Sequence, residues 1–246
     1  MNTAILSPDK DPMGAALLEY HQTRKASAIR VFSSMFDEDK LDVPYLFRTF
    51  DEMPAIERKA LQMAQEHGGH VLDVGAAAGC HSLYLQDKVA VTAIDISPLS
   101  EKVMKERGVR DARCINVYDF RLEGSFDTIL LLMNGTGIIG DMMNISYFFS
   151  RMRTLLAHGG QILIDSSDLK YLYEDGSESE WNFEERSTYY GQLDYQLQYK
   201  EVKGDRFDWL FLDFNTLRLV AAANGFKCEK ILDGPHYDYL ARIALK

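Results

Sequence analysis

The chain has 246 residues, of which 46% are hydrophobic, and a formal net charge of −10. This length suits a single α/β domain with elaborations, and the acidic balance without a basic stripe argues against a nucleic-acid partner. Cys80, Cys114 and Cys228 are too few and too far apart for a disulfide framework or a metal site, so we expect no metal and a cytoplasmic location. Neither a signal-peptide pattern nor a bilayer-spanning apolar stretch is evident, which argues against a membrane partner.

The first 69 residues precede any strand pattern. Residues 1–12 are polar and are predicted to form a loose arm. A helical pattern follows from Met13 to Phe32, and another helix is predicted to end near Glu66. We therefore assign 1–69 as a helical N-terminal extension.

Strands and helices alternate through residues 70–166. This alternation is typical of a doubly wound, mostly parallel sheet. The segments are apolar enough to be buried on both faces, as parallel strands are. The predicted strands are Val71–Val74, Val89–Ile94, Ala112–Asn116, Phe126–Leu132 and Gln161–Asp165.

The pattern changes near Ser167. Residues 167–212 are predicted to form an antiparallel β insertion, and residues 213–246 a closing helix and strand pair, all within a single domain, 1–246. The predicted insertion strands are Arg186–Gly191, Asp194–Lys203 and Arg206–Phe211. The closing elements are Phe214–Asn224, Phe226–Leu232 and Tyr239–Leu245.

A glycine-containing turn follows the first core strand. Gly75 and Gly79 bracket it, and Asp95 ends the next strand twenty positions after Gly75. Nucleotide-binding folds place a ribose-binding acid at this distance. A dinucleotide fingerprint would require glycine at positions held by Ala77 and Cys80, which disfavours a nicotinamide-linked oxidoreductase.

The sequence from Val71 to Asp168, with the closing helix and strand pair, resembles the class I S-adenosylmethionine-dependent methyltransferases. The resemblance implies a seven-stranded Rossmann-like sheet whose last strand is antiparallel, with S-adenosylmethionine as the cofactor. The family's first motif, an acid followed by three alternating glycines, is matched by Asp73, Gly75, Ala77 and Gly79, with alanine in place of the middle glycine.

The resemblance also implies roles for individual residues. Asp95 would bind the ribose hydroxyls, Asp119 the adenine amine, and the segment at Asn134 would border the transferring methyl group. Asp73 would either orient the turn or meet the α-amino group, and both alternatives stay open. The expected cofactor-binding residues are Asp73, Gly75, Ala76, Ala77, Gly79, Asp95, Ile96, Tyr118, Asp119, Phe120, Met133 and Asn134.

The substrate is predicted from what the sequence lacks. No Pro-Pro-aromatic signature of nucleic-acid amine methylation follows the fourth strand, and the helical start and the insertion are expected to enclose the site, which favours a small molecule. Methyl transfer from a sulfonium is expected to be direct and in-line. We predict that His81, Asn134 and Tyr171 line the substrate pocket, and no catalytic base can be assigned. A methyltransferase-like binding module with weak or no catalysis is the alternative, and the oligomeric state is not determined.

Overall fold

The computed structural model describes residues 4–173 and 188–246. The strands are β1 (Ile29–Phe32), β2 (Asp39–Leu41), β3 (His70–Val74), β4 (Ala90–Asp95), β5 (Ala112–Cys114), β6 (Phe126–Leu131), β7 (Leu156–Ser167), β8 (Gln192–Tyr199), β9 (Val202–Lys203), β10 (Phe207–Leu210), β11 (Phe226–Asp233) and β12 (Asp238–Leu245). The α-helices are α1 (Pro12–Thr23), α2 (Ala55–His67), α3 (Cys80–Leu85), α4 (Pro98–Arg107), α5 (Ile145–Leu155) and α6 (Phe214–Ala223).

Seven strands form the main sheet, in the order β11-β12-β7-β6-β3-β4-β5. The pairs from β7 through β5 are parallel, whereas β12 runs antiparallel to both β7 and β11. The predicted seven-stranded, doubly wound sheet with an antiparallel last strand is confirmed. The carboxyl ends of β3 to β7 therefore meet at one edge of the sheet, where folds of this kind bind their ligands.

Helices cover both faces of the main sheet because successive strand residues point to opposite sides. In β3, Leu72 packs with α5 and α6, while Val71 packs with α2 and α3. Phe148 and Phe149 of α5 are fully buried against the first face. Burial on both faces explains the continuous apolar character of the core strands.

The N-terminal extension is only partly helical, which corrects the prediction for 1–69. Helices α1 and α2 are present, but the helical pattern proposed up to Phe32 is wrong at its end. Arg24 adopts a left-handed conformation with φ of +58° and ends α1. Beyond it, Ile29 and Val31 alternate with Arg30 in β1, as β-branched residues in a strand do.

Strand β1 joins the N-terminal extension to the insertion. It pairs with β2 on one side and with β8 on the other, giving a second antiparallel sheet in the order β10-β8-β1-β2, with β9 also paired to β8. The strands predicted near β8 and β10 are confirmed. The remaining predicted insertion strand is Arg186–Gly191. Its residues 186 and 187 lie outside the residues that the structure describes, and residues 188–191 form no strand.

The segment before α1 is held against the main domain, which corrects the predicted loose arm. The backbone N–H of Leu6 donates to the carbonyl of Ile96 at 2.9 Å, and Asp11 is fully buried. A short 3-10 helix, Pro8–Lys10, connects these two contacts. Within residues 4–173 and 188–246, no helix has both the length and the apolar character needed to cross a bilayer.

Candidate active site

The turn after β3 is fixed by backbone hydrogen bonds to the neighbouring strand. The N–H groups of Gly75 and Ala76 both donate to the carbonyl of Ile94, at 2.9 and 3.0 Å. Gly75, Ala77 and Gly79 have φ values of +71°, +50° and +81°. The left-handed region suits glycine but strains alanine. The turn nevertheless keeps its left-handed conformation at Ala77, where the glycine is missing.

Asp95 lies at the end of β4 and braces this turn. Its Oδ2 accepts the Ala77 N–H and its Oδ1 accepts the Ser97 N–H, both at 2.9 Å. Burial raises the pKa of Asp95 to about 6, although the two backbone donors act in the opposite direction. Next to it, the partly exposed side chain of Ile96 offers an apolar surface at the same edge.

The N-terminal segment closes over the end of β4. Asp11 caps α1 by accepting the Gly14 N–H at 2.8 Å, and its other oxygen accepts the hydroxyl hydrogen of Ser97. Burial raises the pKa of Asp11, and its charge contributes to the raised pKa of Asp95. No local sequence pattern predicts this contact, because 86 positions separate Asp11 from Ser97.

Two polar residues beyond the end of β5, Asp119 and Asn116, lie in different environments. The carboxylate of Asp119 is held by the guanidinium of Arg121, and this hydrogen bond lowers the pKa of Asp119 to about 2. Asn116 is buried two residues beyond β5, and its Oδ1 accepts the Tyr118 N–H at 3.0 Å. Asn116 is therefore a second candidate for the group that meets an adenine amine, whereas the carboxylate of Asp119 already has a partner in Arg121.

The two aromatic residues expected beside the adenine lie in different environments. Tyr118 is buried and its hydroxyl donates to the carbonyl of Ile138 at 3.3 Å. Phe120 is 83% exposed, so its ring is not part of a formed adenine pocket in this structure. Tyr118 is thus held in the protein core, whereas Phe120 lies at the surface.

The end of β6 is bound to the end of β7 by a buried carboxylate. Met133 and Asn134 are both left-handed, with φ of +68° and +60°. Asp165 accepts the N–H groups of Met133 and Gly135, at 3.2 and 3.0 Å. Burial raises the pKa of Asp165 to about 6, and the charge of Glu57 adds to this effect. Strained backbone held in this way is typical of functional sites.

A buried network of charged side chains lies under the glycine turn. Arg48 and His81 both contact the carboxylate of Glu57, with 2.7 Å between His81 Nε2 and Glu57 Oε2. His81 Nδ1 lies 3.7 Å from Asp73, whose Oδ2 accepts the Ser82 hydroxyl hydrogen at 2.6 Å. Burial alone would lower the pKa of His81, but Asp73 and Glu57 raise it to about 10.

This network separates the two readings of Asp73 and corrects the one for His81. The contacts of Asp73 within the network favour its role in orienting the turn. The imidazole of His81 is protonated at neutral pH and buried, and it is absent from the cavity lining described next. These observations favour a structural role for His81 over the predicted place in the substrate pocket.

A cavity of about 450 Å³ lies between the second sheet and the ends of β6 and β7. Asn134 and Tyr171, both predicted to line the substrate pocket, lie in its wall, as does His236, which the sequence reasoning did not select. The full lining is Val31, Ser33, Phe36, Asp37, Asp39, Asn134, Ser167, Leu169, Tyr171, Leu172, Leu193, Tyr195, Phe211 and His236. Among the described residues, no group of His, Cys, Asp or Glu side chains could hold a metal ion.

The fold is that of a doubly wound α/β protein, with a cavity beside the sheet edge at which such folds bind their ligands. The family model of the methyltransferase domain matches residues 72–164. The crystal structure of a SAM-dependent methyltransferase from Bacteroides fragilis, in complex with S-adenosyl-L-homocysteine, is 53% identical and has a TM-score of 0.91. The match covers 100% of this chain and 99% of that one. The chain therefore belongs to the class I S-adenosylmethionine-dependent methyltransferases.

More distant structures share the fold. The PH0226 protein from Pyrococcus horikoshii is 18% identical with a TM-score of 0.56, covering 78% of this chain and 89% of that one. The sugar N-methyltransferase KedS8 from Streptoalloteichus is 17% identical with a TM-score of 0.59, covering 87% and 97%. No curated protein matches the sequence.

Membership of the family makes S-adenosylmethionine the cofactor and displaces the nicotinamide alternative. The residues at the sheet edge fit this group. A carboxylate at Asp95 and an amide at Asn116 follow neighbouring strands, where they can accept hydrogen bonds from hydroxyls and from an amine. Ile96, which follows Asp95, offers a partly exposed apolar side chain. The left-handed turn after β3 allows a ligand to approach the backbone closely.

Proposed function

We propose that this protein transfers a methyl group from S-adenosylmethionine directly to a small molecule held in the cavity between its two sheets. One observation carries the proposal: Asn134, at the end of β6, belongs both to the cofactor-binding edge and to the cavity wall. An acceptor in the cavity would thus lie next to the methyl donor. A cavity of this volume suits a small ligand.

The roles of the individual residues follow from their positions. We infer that Asp95 accepts the ribose hydroxyls, that Asn116 meets the adenine, and that the turn from Gly75 to Gly79 holds the methionine end. Asp165 keeps Met133 and Asn134 in their left-handed conformations. The carboxylates at the ends of β4 and β7 support this interpretation because both accept backbone N–H groups, Asp165 in a buried position and Asp95 in a partly buried one.

The cofactor supplies an already activated methyl group on a sulfonium. What the chain adds is proximity, alignment and exclusion of water. The second sheet provides the enclosing wall through Val31, Leu193 and Tyr195, and the segment after β7 provides another through Leu169 and Tyr171. Because the methyl group is already activated, we infer direct in-line transfer without a covalent intermediate on the protein.

The experiment offers methyl-labelled S-adenosylmethionine together with separate small-molecule, nucleic-acid and protein fractions of a cell extract. We expect label to be transferred, in the small-molecule fraction only, to a compound other than the cofactor. Label in a macromolecular fraction would contradict the small-molecule assignment. Binding of the cofactor without label in any fraction would favour the binding module, the second candidate, which the strained alanine at position 77 motivates.

A further inference from the structure

We propose that the acceptor is an amine, which enters the cavity as an ammonium group. This inference rests on the proposed function and specifies its substrate class. It is supported by the carboxylates and aromatic residues that line the cavity and by the ion pairs of nearby arginines with other carboxylates.

The ionic lining of the cavity is negative. Asp37 and Asp39 both lie in the wall, and neither Lys nor Arg occurs among the lining residues that the structure describes. Two arginines in or beside the second sheet pair with other carboxylates: Arg30 with Glu38 at 2.6 Å, and Arg206 with Asp194. Carboxylate or phosphate acceptors would therefore be repelled, whereas an ammonium would be attracted.

The rest of the lining includes apolar and aromatic residues. Tyr171, Tyr195 and Phe211 line the cavity together with Leu169 and Leu193. Aromatic faces attract cations and also pack against an apolar body. Burial, together with the nearby charge of Asp39, raises the pKa of Tyr195 to about 12, so its phenol stays neutral and adds no further negative charge.

The chemistry of transfer requires the acceptor nitrogen to be neutral at the moment of attack. An ammonium first loses one proton, for which His236 is the imidazole in the cavity wall. The nitrogen lone pair then forms the bond to the methyl carbon, while the sulfur–methyl bond breaks and its electron pair stays on sulfur. The products are a methylated ammonium, the thioether and the released proton, so the step is balanced.

The test measures binding of matched probes to protein saturated with S-adenosylhomocysteine. Benzylamine is compared with benzyl alcohol and benzoate, and cyclohexylamine with cyclohexanol, by calorimetry at neutral pH. We expect each amine to bind at least about fivefold more tightly than its alcohol, because one close charge pair in a solvated wall gives about that factor. Benzoate should bind most weakly.

The double variant Asp37→Asn, Asp39→Asn should abolish the preference for the amines. Asp42→Asn is the matched control, since Asp42 is exposed in the same segment but does not line the cavity. Equal affinity for amine and alcohol in the unmodified protein, including failure to bind either probe, overturns the inference, as does a preference that survives the double variant. Affinity for S-adenosylhomocysteine is measured in the same samples, so that loss of the proposed function would be recognised separately.

Discussion

His81 lies beside the cofactor turn, but its contacts indicate a structural rather than a catalytic role. The sequence places it at the start of α3, where a base could act, but the structure surrounds it with Glu57 and Asp73. A buried imidazolium between two carboxylates is stable only while all partners are present, since an unpaired buried charge is costly. Its function is to fix the charges beneath the turn.

We predict that His81→Gln destabilises the protein by about 3–5 kcal/mol, because Glu57 and Asp73 lose a buried cation. The folded-state pKa of about 10 exceeds the ordinary value of 6.5, so the stabilisation from His81 is complete below pH 6.5 and is lost as the pH rises towards 10. Urea unfolding at pH 7 and pH 9 measures this. The variant should lose stability mainly at the lower pH, and the gap to wild type should narrow at pH 9.

His67→Gln is the control, because His67 is exposed at the end of α2. It should leave the unfolding free energy within about 0.5 kcal/mol of wild type at both values. If His81→Gln kept wild-type stability and wild-type pH dependence, the buried imidazolium would be contradicted.

Among the elements, α1 and the segment before it link the N-terminal extension to the cofactor edge. Asp11 serves two elements at once: it caps α1 through Gly14 and accepts a hydrogen bond from Ser97, which follows the ribose-side acid Asp95 by two residues. The order of this segment and the shape of the β4 end are therefore coupled.

We predict that Asp11→Ala destabilises the protein by about 0.5–2 kcal/mol through loss of the helix cap, and that it also weakens binding of S-adenosylhomocysteine several-fold. Thermal unfolding and calorimetry measure the two effects. The neighbouring exposed carboxylate supplies a matched variant, Asp9→Ala, which should change neither. Equal behaviour of the two variants would show that Asp11 is not coupled to the cofactor edge.

At the scale of the whole molecule, two sheets enclose the cavity, and the sequence predicts them unequally. The main sheet follows from local patterns, because buried parallel strands such as Phe126–Leu131 are mainly apolar. The second sheet depends on pairing between β1 and β8, about 165 positions apart, and its short strands carry weak patterns. Strand register over such separations is set by tertiary contacts rather than by local sequence.

The site divides in the same way. Asp95 and Asn134 could be found because each follows an apolar strand, and the carboxyl ends of parallel strands share one edge. Glu57 and Asp165 could not be found, since their partners are 24 and 30 to 32 positions away and no local motif marks them. The pairing of Asp119 with Arg121 could not be predicted either, because no sequence motif marks it.

The central claim is that the edge formed by the glycine turn and Asp95 holds the cofactor. Calorimetry with S-adenosylhomocysteine on wild type, Asp95→Asn and Asp119→Asn tests it most directly. We predict at least a tenfold loss of affinity for Asp95→Asn, about the factor for lost hydrogen bonds to a charged acceptor, and a change below about threefold for Asp119→Asn. Wild-type affinity in Asp95→Asn, or no binding by the unmodified protein, would contradict the account.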